Sequence, residues 1–277
     1  MAASFTHQVR ARKDGGKLYF TRCEVPSAKS LVGIVHGYAD HRKRYSHVQE
    51  HLAEKGYSSL AIDLRGHGDS EGDRGYVERF DEYLDDLAML KTELSDVSSS
   101  LPKILLAHSN GGLLATYALA RGEDYFQTVL LSSPFLGLAL KVPGWKRVLG
   151  EVASQIAPKL GVPSGLTGAA VTHDPVKAKA YDTDPLVFKK AKARWFTEAG
   201  RAQRESLERA SSIKTPCAIL FGSADPVADF NTGKSFFASL GSARKEFIEA
   251  PGLFHEVLNE PEWKTYLDKL LAFAERA

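Results

Sequence analysis

Lys103-Ile104-Leu105-Leu106-Ala107-His108-Ser109-Asn110-Gly111-Gly112-Leu113 passes from an apolar run of strand character into a helix within about three residues. Such a change of course forces the residue at the turn into a strained backbone conformation and presents its side chain at the sheet's edge. Ser109 occupies that turn and is the candidate nucleophile. Gly111 is small because a side chain there would collide with the turn. Ala107 stands where the G-x-S-x-G pattern has its first glycine, the smallest departure from it. Taken alone the pattern is a weak signal, and its weight depends on what surrounds it.

Outward from this turn, strands and helices alternate. Upstream lie two β-prone runs at 5–11 and 17–25, joined by the hairpin signal Asp14-Gly15-Gly16. Leu31-Val32-Gly33-Ile34-Val35 follows, continuously apolar as a strand buried on both faces should be. A helix with Tyr45, Val48 and Leu52 on one face leads to a strand at 58–63. Phe80, Tyr83, Leu84, Leu87, Ala88 and Leu94 then mark one stripe of an amphipathic helix. Downstream come the buried strand Val129-Leu130-Leu131, and later a strand at 216–221, a helix at 229–240, a strand at 245–249 and a final helix carrying Trp263 to Phe273. This rhythm predicts an α/β fold with a mostly parallel central sheet flanked by helices on both faces. In such sheets ligands bind beyond the carboxyl ends of the strands. His36-Gly37-Tyr38, the loop from Asp63 to Gly72, and Ser109 all fall there.

Between about Phe135 and Ala210 the rhythm breaks, with no clear buried strand and with glycine and proline punctuation. The segment divides the chain into an α/β core, residues 1–134 and 211–277, and a helical insertion, 135–210, which is most economically a cap over the strand ends. Trp145, Val148, Leu149, Val152, Ile156 and Leu160 form an apolar stripe flanked by Lys141, Lys146, Arg147 and Lys159. A second helix carries Phe188, Ala191, Trp195, Ala199 and Ala202. The stripe either packs on the core or faces a lipid surface and admits an acyl chain. Trp145, Leu149 and Trp195 are the cap's candidate substrate-binding residues.

Bulk properties narrow the function. The 277 residues are 43% hydrophobic and 25% charged, with a formal net charge of +2, which gives no reason to expect nucleic acid as a partner. The first residues reach charge quickly at Arg10 without an apolar core, so a signal peptide is not expected. No apolar run approaches the ~20 residues of a membrane-spanning helix. The two cysteines, Cys23 and Cys217, are expected as buried free thiols in strands, and a cytoplasmic protein is the default.

A serine hydroxyl attacks poorly unless an imidazole takes its proton and a carboxylate orients that imidazole. Asp225 lies just past one late strand and His255 just past the next. The order Ser109, Asp225, His255 is that of the α/β-hydrolase arrangement, not of the chymotrypsin or subtilisin one. Asp229 competes with Asp225, but its place before a helix suits a cap. Of the other histidines, His108 should point into the structure, and His36 and His67 should hold loops. The oxyanion donors of this arrangement would be the Asn110 N–H and the Tyr38 N–H. No metal-ligand spacing such as H-E-x-x-H is present.

Six segments then carry a resemblance: His-Gly-Tyr-Ala-Asp-His-x-x-Arg-Tyr (36–45), Asp-x-Arg-Gly-His-Gly-x-Ser-x-Gly (63–72), Ala-His-Ser-Asn-Gly-Gly (107–112), Asp-Pro-Leu-Val (184–187), Gly-Ser-Ala-Asp (222–225) and His-Glu-Val-Leu-Asn-Glu (255–260). Together they resemble the monoacylglycerol lipase and bacterial lysophospholipase branch of the α/β-hydrolases, over nearly the whole chain. The resemblance implies hydrolysis of lipid-like esters, above all monoacylglycerols, with no metal or organic cofactor; the expectation of transient contact at membrane or micelle surfaces rests on the cap's apolar stripe and its basic flanks. Asn110 stands where the family often has methionine and puts a polar side chain beside the acyl site. A lysophospholipase, a short-chain carboxylesterase and a binding module that keeps the fold without catalysis are the alternatives.

Overall fold

The computed structural model describes residues 4–140 and 144–276, without the side chains of 144–148. The first half of the chain lays down β1 (Ser4–Ala11), β2 (Lys17–Glu24), β3 (Ser30–Val35), α1 (Ser46–Glu54), β4 (Tyr57–Asp63), α2 (Glu82–Val97), β5 (Lys103–His108), α3 (Asn110–Ala120) and β6 (Thr128–Ser132). The chain then leaves the sheet for α4 (Gly144–Ile156), β7 (Gly161–Pro163), α5 (Gly168–Val171), α6 (Pro175–Thr183), β8 (Lys190–Lys192) and α7 (Ala193–Glu208). It returns as β9 (Cys217–Gly222), α8 (Phe230–Ser239), β10 (Lys245–Ala250) and α9 (Trp263–Glu275).

Eight strands form one sheet in the order β1-β2-β4-β3-β5-β6-β9-β10. The six from β4 to β10 run parallel, and the opening hairpin pairs antiparallel with β4 through β2. The side-chain period of two assigns the strands' residues to the two faces. Leu31, Val35, Leu105, Ala107, Val129, Leu131, Ile219 and Phe221 share a core with Leu87 and Leu90 of α2, Leu113 and Tyr117 of α3 and Phe236 of α8. Val32, Ile34, Ile104, Leu106, Leu130, Ala218 and Leu220 share the other with Val48 and Leu52 of α1 and Leu267, Leu270 and Phe273 of α9. Both faces are covered, so the central strands carry unbroken apolar runs, and each fully buried aliphatic side chain contributes about 1.5–3 kcal/mol. The sheet is that of the α/β-hydrolase fold. Cys23 and Cys217 are both free and buried.

The structure moves some element edges. Phe80, counted into a helical stripe by its spacing, is buried ahead of α2, where its N–H donates to Glu198 Oε2 at 3.0 Å. Phe188 and Ala191 precede α7, and Leu160 lies beyond α4. The antiparallel pair β7–β8 falls in the stretch read as having no clear buried strand. Three residues each, none of them buried, are too short to print an apolar run. The side chains of Trp145, Lys146 and Arg147, and the whole of Lys141, lie outside the described residues. No helix among the described residues is long and apolar enough to cross a membrane.

The loop after β4 is built from buried charge. The Asp63 carboxylate accepts the Arg42 N–H at 2.7 Å and the Asp69 N–H at 2.8 Å, and pairs with the Arg42 guanidinium. Arg65 pairs with buried Asp86 on α2, Nη2 to Oδ1 at 2.7 Å. Asp63→Ala removes the fully buried carboxylate from the Arg42 guanidinium, which keeps only the partly exposed Asp69 at 2.9 Å and the Thr21 hydroxyl, and the loss costs about 3–5 kcal/mol. For a chain of this size that lowers the melting temperature by about 6–20 °C, read by scanning calorimetry; a loss below about 2 °C would contradict this account of the loop.

Candidate active site

Ser109 joins β5 to α3 with φ 52° and ψ −114°, a conformation L residues rarely adopt and one that costs about 1–3 kcal/mol. The surroundings fix it. Its N–H donates to Ser132 O at 3.0 Å, and its carbonyl accepts from Leu113 N at 2.9 Å and Phe135 N at 3.0 Å. A Cβ on Gly111 would sit 2.6 Å from Val35 O and 2.7 Å from His36 O, so only glycine lets α3 start this close to β3. A Cβ on Gly112 would lie 2.9 Å from Pro134. Ala107 is fully buried within β5.

Asp225 follows β9 and His255 follows β10, and both side chains reach the serine. His255 Nδ1 lies 2.7 Å from Asp225 Oδ2, and His255 Nε2 lies 2.8 Å from Ser109 Oγ. A carboxylate only accepts, so Nδ1 carries the proton and Nε2 offers its lone pair to the serine O–H. The second Asp225 oxygen accepts from Val227 N at 2.8 Å and Ala228 N at 2.9 Å, which fixes the carboxylate from behind. Asp229 turns away: it caps α8, accepting from Asn231 N at 2.8 Å.

The electrostatics separate His255 from its neighbours. Burial works against its imidazolium, but the Asp225 carboxylate, then Glu256 and Asp40, outweigh it and raise the His255 pKa above 6.5. His108, whose ring lies 4.8 Å from that of His255, is pushed down to about 4 by burial and by His255. Its Nδ1–H donates to Ser132 O at 3.0 Å. His67 is pushed down to about 3 by burial and His36, and His36 is itself lowered by burial. His36 Nε2 accepts the Leu64 N–H at 3.0 Å and its Nδ1–H donates to Gly37 O at 2.6 Å, so a neutral ring ties two loops together.

The Asn110 and Tyr38 N–H groups have no hydrogen-bond partner among the described residues. Asn110 is the first residue of α3, where an N–H has no intrahelical acceptor. A Cβ on Gly37 would come within 3.2 Å of Ser109 Cβ, which shows how closely that loop passes the serine. The Asn110 side chain is fully buried, and neither amide atom finds a partner among the described residues. Of the other sequence candidates, Trp195 is buried and stacks on Tyr38 at 3.5 Å, while Leu149 is 58% exposed on α4. Sequence reasoning assigned no role to Asp40, Arg44 or Glu256, which form a buried ion cluster beside His255. Asp40 and Arg44 stand four apart and Glu256 adjoins His255, but only the fold brings the two segments together.

The fold and the serine, histidine and aspartate in this geometry define a hydrolase of the α/β class. Residues 26–262 match the family described as serine aminopeptidase, S33, and the chain belongs to it. It is 30% identical over 246 residues to a monoacylglycerol lipase of Mycolicibacterium smegmatis, covering 88% of each chain. It is also 30% identical over 251 residues to the phospholipase YtpA of Bacillus subtilis, covering 89% of this chain and 95% of that one. The crystal structure of the Paleococcus ferrophilus monoacylglycerol lipase superposes with a TM-score of 0.83 at 28% identity, over 92% of this chain and 99% of that one.

Nuclear magnetic resonance on imidazole-labelled protein should therefore find His255 titrating above pH 6.5, while His108 stays neutral to about pH 4 and His67 to about pH 3. A His255 that titrates at or below 6.5 would break this account of the site.

Proposed function

We propose that the protein hydrolyses carboxylic esters of lipid-like alcohols, above all monoacylglycerols, through an acyl-enzyme on Ser109. The carrying observation is the unbroken chain from Ser109 Oγ through His255 to Asp225, with links of 2.8 and 2.7 Å. Ser109 attacks the ester carbonyl as His255 Nε2 takes its proton. Asp225 holds the imidazole in the required tautomer and stabilises its charged form. The free N–H groups of Tyr38 and Asn110 receive the developing oxyanion, where one such donor is worth about 3–4 kcal/mol. His255 then protonates the departing alcohol, and water attacks the acyl-enzyme by the same route. Because the base must be neutral, turnover falls as the pH drops through the raised His255 pKa. The relatives named as monoacylglycerol lipases support the substrate class. The phospholipase relative supports a phospholipid-type ester as second substrate.

The segment between β6 and β9 acts in this reading as a cap. Trp195 faces Tyr38 from it, and the Tyr38 hydroxyl accepts from Lys192 N at 3.1 Å. Its outer helix α4 exposes Leu149 (58%), Val152 (48%) and Ile156 (80%). That is the face of a helix that lies on a lipid surface. Of the flanking cations, Lys159 is drawn to Asp73 at 2.5 Å.

Two outcomes test the reading. Ser109→Ala should abolish labelling by a fluorophosphonate and reduce hydrolysis by about a million-fold. In a panel of monoacylglycerol, lysophosphatidylcholine, p-nitrophenyl esters and a free-amine peptide, monoacylglycerol should turn over fastest. Labelling that persists at another serine overturns the nucleophile, and peptide cleavage as the main activity overturns the substrate class. Separately, Leu149→Ser with Ile156→Ser should weaken flotation with liposomes and slow hydrolysis of dispersed long-chain ester, leaving soluble short esters unchanged. Wild-type protein that neither floats with liposomes nor gains rate from them removes the role given to α4.

A further inference from the structure

Arg44 lies in the short 3₁₀ turn Arg42–Tyr45 after β3, and its guanidinium is buried between two carboxylates. Nη1 donates to Asp40 Oδ1 at 2.8 Å and to Glu256 Oε1 at 2.9 Å, and Nη2 donates to Glu256 Oε2 at 2.6 Å. Each carboxylate is held a second time. Asp40 accepts from the Tyr45 hydroxyl at 3.0 Å and the His41 N–H at 2.7 Å, and Glu256 from Asn259 Nδ2 at 2.9 Å. The Tyr181 ring covers the guanidinium at 5.1 Å. All three charged side chains are less than a tenth exposed. The two neighbouring carboxylates outweigh burial and keep Arg44 charged, and Arg44 holds Asp40 well below the usual carboxylate range against the opposing effect of burial.

The cluster joins two segments that the sheet leaves apart. Asp40 is two residues beyond Tyr38, and Glu256 directly follows His255. Their loops spring from β3 and β10, which have β5, β6 and β9 between them. At ~4.8 Å per strand the two roots stand roughly 19 Å apart, and no shared ladder sets one loop against the other. A buried ion pair adds little net stability, since desolvation consumes most of its attraction. A bidentate arginine fork does fix distance and angle. We propose that Arg44, clamped between Asp40 and Glu256, is a positioning residue that locks the loop of the Tyr38 N–H to the loop of His255, so that oxyanion donor and base meet Ser109 in register. This rests on the catalytic reading of Ser109 and His255.

The test uses Arg44→Met, Arg44→Lys and Glu256→Gln in the full chain, with rates expressed per phosphonate-titrated site. Arg44→Met should lower kcat by about 100-fold, the cost of a displacement near 1 Å, and slow phosphonate inactivation in parallel, with KM nearly unchanged. Arg44→Lys, which keeps the charge but not the fork, should recover only part of the loss. The groups facing His255 are Asp225, Glu256 and Asp40, which raise its pKa, with neutral His108 beside it and Arg44 behind the two outer carboxylates. Glu256→Gln removes one of these negative charges, so the acid limb of kcat/KM should move to lower pH as kcat falls. A merely structural cluster would lower the melting temperature and the titratable fraction, leaving kcat per site where it was in all three variants, while the acid limb of Glu256→Gln follows the lost charge in either case. That result overturns the proposal. Should Arg44→Met fail to fold, Arg44→Lys and Glu256→Gln decide it by the same readouts. Absence of labelling at Ser109 in the wild type defeats the functional reading itself, whereas normal wild-type labelling with unaffected variants defeats only the role of Arg44.

Discussion

The backbone of Ser109 is held where few L residues rest, and much of the molecule exists to hold it there. The constraint starts with contact: α3 must begin against the carbonyls of Val35 and His36, a spacing that admits glycine at 111 and nothing larger. Parallel strands on either side supply those carbonyls and the Ser132 oxygen that takes the serine N–H. About 1–3 kcal/mol of strain is small beside two apolar cores on the two faces of the sheet, so the turn persists. Because α3 starts at Asn110, directly after the serine, the Asn110 N–H has no intrahelical acceptor.

Around that point, charges are arranged by partner and by burial. One histidine keeps an elevated proton affinity because Asp225, Glu256 and Asp40 face it. His36, His67 and His108 lie in the same region without carboxylate partners of equal weight, and burial keeps them neutral. Four imidazoles in one neighbourhood thus differ: His255 keeps a raised proton affinity, whereas His36 ties two loops, His67 bonds Arg65 O within its own loop and His108 bonds Ser132 O. The loops from Asp40 and Asp63 depend on buried carboxylates in turn, each saturated by arginine and backbone donors.

Much of this was legible in the residues, because the governing physics was local. Runs such as Leu31–Val35 and Val129–Leu131 are apolar on both faces and could only be central strands, and the glycines at 111 and 112 marked the turn. The order Ser109, Asp225, His255 could be read because each follows a recognisable strand, and the fold does bring the three together. What escaped depended on packing at a distance. Phe80 and Phe188 keep helical spacing yet lie outside helices, since burial against a neighbour satisfies them as well as a helix would. β7 and β8 are too short and too exposed to leave a pattern. Whether Leu149 and Ile156 faced protein or solvent was open in the sequence, because an amphipathic stripe looks the same in either case. Arg44 and Glu256 carried opposite charges 212 residues apart, and no spacing rule pairs such residues.

The sheet order also sets a schedule. β9 and β10 join the sheet only after the long excursion that follows β6, and Ser109 precedes its histidine by 146 residues. At the ~5–20 residues per second of chain synthesis, roughly 7–30 s separate the making of the serine from the making of the histidine it bonds. During that interval the hydroxyl lacks the imidazole that the finished fold sets 2.8 Å away. In the proposed reading, an activated nucleophile therefore needs the last parallel strand in place, because His255 follows β10.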